Sequence, residues 1–326
     1  MRRILRSLTL AMAATAFCAP LALAQGAAAW PNRVVRIVVP YPAGGATDSI
    51  ARLVAAKLQQ QLGQSFIIEN KGGAGGNIGA DAAAKSAPDG YTILFNINGH
   101  AIAPALYSKL SYSPDDDFIR VTQIAATSTV LVVNPEVPVK SFQELVALAK
   151  SKPGVLNYGS TGIGNSLHLT MELIKQITST DIQMVPFQGD AQLFQSLFRN
   201  DIQIALVPSS ITKPHIDAGA VRAIGITTLD RSPTLPNVPT IAEQGLPGFV
   251  NRGWMALFFP KGTPDDIVRK LYLETKKAVE SDDMKKRFAE MELDPVGSSP
   301  EEFEKLYRAD RIKFEKIVKD AKIQPR

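Results

Sequence analysis

Two glycine-punctuated segments constrain this chain more than any other feature: Tyr41-Pro42-Ala43-Gly44-Gly45-Ala46-Thr47-Asp48 and Tyr158-Gly159-Ser160-Thr161-Gly162-Ile163-Gly164-Asn165-Ser166. Each follows a short apolar or β-branched run and opens into an amphipathic helical pattern. The order strand, tight loop, helix start therefore occurs twice, about 115 residues apart. A loop of this kind leaves backbone N–H groups without helical partners, with a helix dipole behind them, and so favours an anion. Two such loops facing each other would clamp a small carboxylate between two domains. No catalytic constellation of comparable quality stands elsewhere in the sequence.

The runs around these loops alternate between strand and helix periods. Val34 to Val39 predicts a buried strand, and Thr47 to Leu62 a helix with Ile50, Leu53, Val54, Ala56 and Leu58 on or near one face. Phe66 to Glu69 and Thr92 to Phe95 are further strands, the second entered through the turn Pro88-Asp89-Gly90. Ile124 to Val133 reads as one long strand, and Ser141 to Lys150 as a helix with Ser141 and Glu144 at capping-box spacing. The rhythm then repeats: strand 156–158, helix 166–176, strand 183–187, helix 191–199, strands 202–207 and 221–227. The C-terminal part supplies a strand at 254–259 and helices over 264–281, 283–291 and 301–321. Apolar strands in a βαβαβ rhythm predict parallel sheets covered on both faces. The expected design is two α/β lobes, 25–127 plus 228–326 and 128–227, with the ligand cleft between them.

Residues 1–24 are expected to stand outside that fold. Arg2, Arg3 and Arg6 precede the apolar stretch Leu8 to Leu23, and Ala22-Leu23-Ala24 is a small-x-small cleavage pattern before Gln25. The expectation is a cleavable export signal and an exported, soluble protein. Cys18, the single cysteine, falls within it, which leaves the mature chain without thiol or disulfide chemistry. Taking the leader's three arginines from the 36 basic residues leaves 33 against 31 acidic ones, a net charge of +2. That balance gives no support to nucleic-acid binding or to a polybasic membrane contact.

Within the first loop, Gly44 and Gly45 permit a sharp turn, Thr47 can cap the helix and Asp48 occupies its first turn. The plainer alternative is an ordinary connection in which Asp48 pairs with Arg52. In the second loop Ser160, Thr161 and Ser166 offer hydroxyls and Asn165 an amide, or else these groups only cap a helix. Asn98-Gly99-His100 and Pro208-Ser209-Ser210 follow strands at the corresponding sheet edges and are expected to reach the cleft. His168 has no metal-ligating companions in sequence, and no metal or cofactor is expected. Gly72 to Gly79 lacks the context of a nucleotide loop and is expected to be a flexible connector. A secreted serine hydrolase built on Ser160 or Ser166 is the enzymatic alternative, with only His100, His168 and His215 available as base and no Gly-x-Ser-x-Gly elbow.

At these residues the chain resembles the periplasmic solute-binding receptors of tripartite tricarboxylate transporters, the Bug/TctC family. The likeness runs through Val39 to Arg52, Glu69 to Gly79, Pro88 to Thr92, Tyr158 to Leu169, Val185 to Gly189 and Pro260 to Pro264. It implies a two-lobed periplasmic-binding-protein fold of type II kind that closes on one small organic anion, acting as a monomer and delivering to membrane permease subunits; a ligand-presenting sensor would share the fold. Carried onto this chain, the implied ligand contacts are Tyr41, Pro42, Gly44, Gly45, Ala46, Thr47 and Asp48 in one lobe. In the other they are Ser160, Thr161, Gly162, Gly164, Asn165 and Ser166. The expected ligand-binding set is completed, independently of the resemblance, by Asn98, Pro208 and Ser209 at the sheet edges, by Phe187 and by His168, whose plainer reading is a packed or hydrogen-bonded side chain. Phe187-Gln188-Gly189 stands where the family commonly carries Tyr-Lys-Gly, so a lysine-like charge near the cleft is missing. This departure leaves the character of the ligand's second end open, with neutral, aromatic and apolar ends among the alternatives.

Overall fold

The structure, a computed structural model, describes residues 30–325, so the expected leader and Cys18 lie outside the described residues. Two sheets organise the chain. The first comprises β1 (Val35–Val39), β2 (Phe66–Asn70), β3 (Thr92–Ile97), β4 (Phe118–Thr127), β10 (Gly253–Pro260) and β11 (Leu293–Pro295), in the order β11-β4-β10-β3-β1-β2. The second comprises β5 (Thr129–Val133), β6 (Asn157–Ser160), β7 (Gln183–Pro186), β8 (Ile204–Pro208) and β9 (Arg222–Ile226), in the order β7-β6-β8-β5-β9. In each, three parallel strands carry the helical crossovers and antiparallel strands extend the sheet.

Period-two alternation decides which side chain serves which face. Val35, Ile37 and Val39 of β1 bury against α1 (Ala46–Leu62) and α8 (Asp265–Glu280), whereas Val38 joins the opposite face with α2 (Asn77–Ala84) and α10 (Pro300–Asp320). In the second sheet Leu131 and Val133 meet α4 (Phe142–Ser151) and α5 (Ser166–Thr178). Val130 and Val132 face the other way, toward α6 (Asp190–Phe198) and α7 (Ser209–Asp217). Each fully buried aliphatic or Phe side chain contributes about 1.5–3 kcal/mol by leaving water. Expected caps form: Ser141 Oγ accepts the Glu144 N–H at 3.1 Å, and Ser299 with Glu302 closes a full capping box at the start of α10.

Several expectations need correction. The long strand over 124–133 is two strands, because the chain leaves the first sheet at Ser128 and enters the second at Thr129. The return is later than residue 228. Leu235, Val238, Ile241 and Phe249 bury in the cores of the second sheet, and the first sheet is rejoined only at Gly253. The connection at Gly72 to Gly79 is an ordered 3-10 turn, Ala74–Gly76, leading into α2. Two helices escaped the sequence reading, α3 (Gly99–Leu106) and α7, and each holds an internal proline, Pro104 or Pro214.

Side chains from both lobes meet along the C-terminal helix. Ile102 of α3, Leu169 of α5, and Phe314, Ile317 and Val318 of α10 form one apolar cluster, so α10 packs on both lobes. A polar chain runs beside it. Trp254 Nε1 donates to Asp310 Oδ2 at 2.9 Å, Lys313 Nζ pairs with Asp310 at 2.6 Å and donates to Asn251 Oδ1 at 2.8 Å, and Asn251 Nδ2 donates to Thr170 on α5.

Candidate functional site

In sheets of this type ligands bind beyond the carboxyl ends of parallel strands, where helices begin. Four helix starts converge there. A chamber of about 150 Å³ is lined by Thr47 from α1, Asn98 at the start of α3, Ser166 from α5 and Pro208 before α7, closed by Asn251 and Trp254 at the second crossing. A second chamber of about 300 Å³ adjoins it, since Ile97, Asn98 and Ser166 line both. Its remaining walls are Tyr41, Ile102, Leu106 and Tyr107 from the first lobe and Ile163 and Gly164 from the second. Three larger hollows lie elsewhere among the described residues: two, of about 400 and 490 Å³, share Leu173 and Ile177 on the outer side of α5, and one of about 420 Å³ is lined by Ser128, Thr228, Arg231, Arg252 and Asp294 beside the crossings.

The first loop is held by its own aspartate. Asp48 is buried, and its carboxylate accepts the Gly44 N–H, Arg52 Nε and Asn70 Nδ2, each at 2.9 Å. The Arg52 guanidinium, with the two other donors outweighing burial, lowers its pKa to about 2. Gly44 adopts φ +81, a left-handed conformation that brings its N–H back to that carboxylate. Asp48 therefore serves as the loop's anchor, not as a cleft-facing group, in agreement with the plainer of the two sequence readings. Gly45 opens α1 without a side-chain cap, which leaves the first-turn amides from Ala46 to Asp48 as orphan donors beside the chamber. Tyr41 turns its hydroxyl to Asn96 Oδ1 at 3.1 Å and presents the rest of its ring to the larger chamber. Pro42 packs near Gly72 instead of lining either chamber.

The second loop is braced by His168. Its Nδ1 accepts the Gly164 N–H at 2.8 Å, which assigns the proton to Nε2, and Asn165 Oδ1 caps α5 by accepting the His168 N–H at 2.8 Å. Burial depresses the His168 pKa, keeping the imidazole neutral and able to accept. Ser160 Oγ donates to the Gly162 carbonyl, and Thr161 Oγ1 receives the Asn165 amide at 3.5 Å. Ser160, Thr161, Gly162 and His168 thus build the loop behind the chamber wall, while Gly164, Asn165 and Ser166 form the wall itself. Phe187 is partly buried: its N–H donates to the Ser160 carbonyl and its ring packs against the core on the β7–α6 side of the second lobe. Ser209 ties α7 to the first crossing, since its N–H and Oγ both donate to the Ser128 carbonyl.

The remaining histidines are engaged elsewhere. His100 sits among Tyr112, Phe118, Phe258 and Tyr307, where burial lowers its pKa to about 3. His215 lies against Phe194 and Phe198. No group of three or more candidate metal ligands occurs among the described residues. Asn98 stands apart from these satisfied groups. It is 5% exposed, lines both chambers, and its Nδ2 meets no acceptor among the described residues. A buried amide in that condition costs about 1–3 kcal/mol unless an acceptor arrives.

Sequence reasoning missed Ile102, Leu106 and Tyr107 because it missed α3, and Asn251 with Trp254 because it placed the return crossing too early. The Asn98-Gly99-His100 turn was the one available pointer to that wall.

The family model described as "Tripartite tricarboxylate transporter family receptor" matches residues 50–323. Protein BugT of Bordetella pertussis is 34% identical, with 93% of this chain and 92% of that protein aligned. A protein encoded in the tcbD-tcbE intergenic region of Pseudomonas sp. strain P51 is 35% identical, with 97% and 93% aligned. Among solved structures, R. palustris Rpa4515 with adipate is 36% identical at a TM-score of 0.77, covering 91% of this chain and all of that one. MatC from Rhodopseudomonas palustris with bound malate is 33% identical at a TM-score of 0.73, covering 89% and 100%. The two-lobed architecture, the paired glycine loops and these matches together place the chain in the receptor family of the tripartite tricarboxylate transporters.

Proposed function

We propose that this protein is an extracytoplasmic solute receptor that captures a small organic carboxylate between its lobes and hands it to a membrane permease. The observation that carries the reading is Asn98, a buried amide donor without an acceptor, placed between the uncapped start of α1 and the start of α5. Partial positive charge from two helix ends and an N–H₂ group would stabilise a carboxylate there. The adipate and malate of the solved relatives are small carboxylates of this type. Among the described residues no helix is long and apolar enough to cross a membrane, which suits a receptor that needs a separate permease.

Asn98→Asp tests this at constant shape. A carboxylate at that point would repel a ligand carboxylate at neutral pH, and calorimetric titration should find affinity reduced at least a hundredfold in a folded variant. Binding of carboxylates at wild-type strength would refute the assignment.

A further inference from the structure

A cation on α10 is wired by hydrogen bonds to the start of α5. Lys313 Nζ, held against Asp310 at 2.6 Å, donates to Asn251 Oδ1 at 2.8 Å. An ammonium can only donate, so it fixes the flip of the Asn251 amide and turns Nδ2 toward Thr170 Oγ1. That hydroxyl, accepting from Asn251, gives its own proton to the Ser166 carbonyl at 2.6 Å. All three bonds therefore run in one direction, from the first lobe through the return crossing into the second. Asn251 and Thr170 are buried, so water competes little for these groups, and bonds in such a chain polarise one another.

The Ser166 carbonyl and the Leu167 N–H belong to one conjugated peptide unit. Electron density drawn to that oxygen makes the N–H a stronger donor. At the start of α5 the Asn165 N–H goes to the Gly162 carbonyl, the His168 N–H to the Asn165 side chain and the Leu169 N–H to the Asn165 carbonyl. The Ser166 and Leu167 amides are left without acceptors among the described residues, and both residues line the smaller chamber together with Asn251. Asp310 offsets the charge of Lys313, so the chain delivers placement and bond direction to the site, not a net charge.

Resting on the carboxylate reading above, we infer that Lys313 is a positioning residue for the site. Through Asn251 and Thr170 it holds the first turn of α5 against the chamber and strengthens the Leu167 N–H as a donor to the bound carboxylate. Lys313 belongs to the first lobe and Ser166 to the second, so the strength of that donor is tied to how the lobes meet.

Three variants separate this role from plain packing. Lys313→Met keeps the side-chain stem and removes the donor, Thr170→Val keeps the shape and removes the hydroxyl, and Thr170→Ser keeps the hydroxyl. Protein carrying isotope-labelled leucine is unfolded and refolded to release any bound ligand, and the Leu167 amide resonance, identified by its loss in Leu167→Met, is read by NMR. Lys313→Met and Thr170→Val are expected to move its proton upfield, and Thr170→Ser to leave it at the wild-type position. Calorimetric titration with short aliphatic mono- and dicarboxylates, adipate and malate included, should then show affinity about tenfold lower in Lys313→Met and Thr170→Val and close to wild type in Thr170→Ser. A resonance unmoved in both, or moved with no loss of affinity, overturns the positioning role and leaves the carboxylate reading standing. No acid binding to the wild type at millimolar concentration overturns the carboxylate reading and the role with it.

Discussion

Replacing Asp48 by Asn should destabilise the protein at neutral pH and do progressively less harm as the pH falls. One carboxylate oxygen accepts both the Gly44 N–H and Arg52 Nε, and the other accepts Asn70 Nδ2. An amide at this position must turn its N–H₂ toward one set of donors, so at least one hydrogen bond becomes a donor–donor contact. The folded-state pKa is about 2 against 3.8 for the free group. At 1.36 kcal/mol per pKa unit that gap sets a ceiling of about 2.5 kcal/mol. Arg52 is about half exposed, and solvent screening brings the expected value to about 1–2 kcal/mol. Because the pKa is depressed by folding, the contribution is fully present above about pH 4 and is lost as pH falls toward 2. Urea unfolding of wild type and D48N at pH 7, 4 and 3 measures it. The gap between the two curves should narrow across that series. An equal unfolding midpoint at pH 7, or a gap independent of pH, would refute the role given to this carboxylate.

Other expectations follow from the same contacts. Gly164 adopts φ +81, and a Cβ there would stand 2.5 Å from Leu106 Cδ1 on α3, so Gly164→Ala should resist closure and weaken ligand binding about tenfold by titration. Gly219→Ala is the control, since its φ of +69 imposes similar backbone strain with open space around the Cβ, and ligand affinity should stay at wild-type level. Asp310→Ala leaves the buried Trp254 Nε1 without an acceptor and takes from the partly exposed Lys313 one of its two partners, which should cost about 1–3 kcal/mol in urea unfolding. A loss below about 1 kcal/mol would show that the polar chain through α10 is dispensable.

Much of the frame was legible because its signals are local. The β1–α1 and β6–α5 units announce themselves by an apolar run, a glycine turn and an amphipathic helix, and the α4 and α10 caps follow from side-chain chemistry alone. What stayed hidden depends on tertiary structure. Pro104 and Pro214 suppress the helical reading of α3 and α7, although packing against α10 and the second sheet stabilises both helices. Ser128 gives no sign that the chain changes sheets within an unbroken β-rich run. At the site, sequence identified which loops approach the cleft but not which groups were already consumed. Asp48, Ser160 and His168 look like ligand contacts until their hydrogen bonds are counted, whereas the unmatched Asn98 amide emerges only from that count.

A crystal structure of the protein with a bound aliphatic carboxylate tests the central claim most directly. The carboxylate oxygens of one end should lie within hydrogen-bond reach of Asn98 Nδ2 and of first-turn amides of α1 and α5. Density for the ligand in the hollow beside Leu173 and Ile177, or a carboxylate in the cleft that bypasses Asn98 and both helix starts, would contradict it.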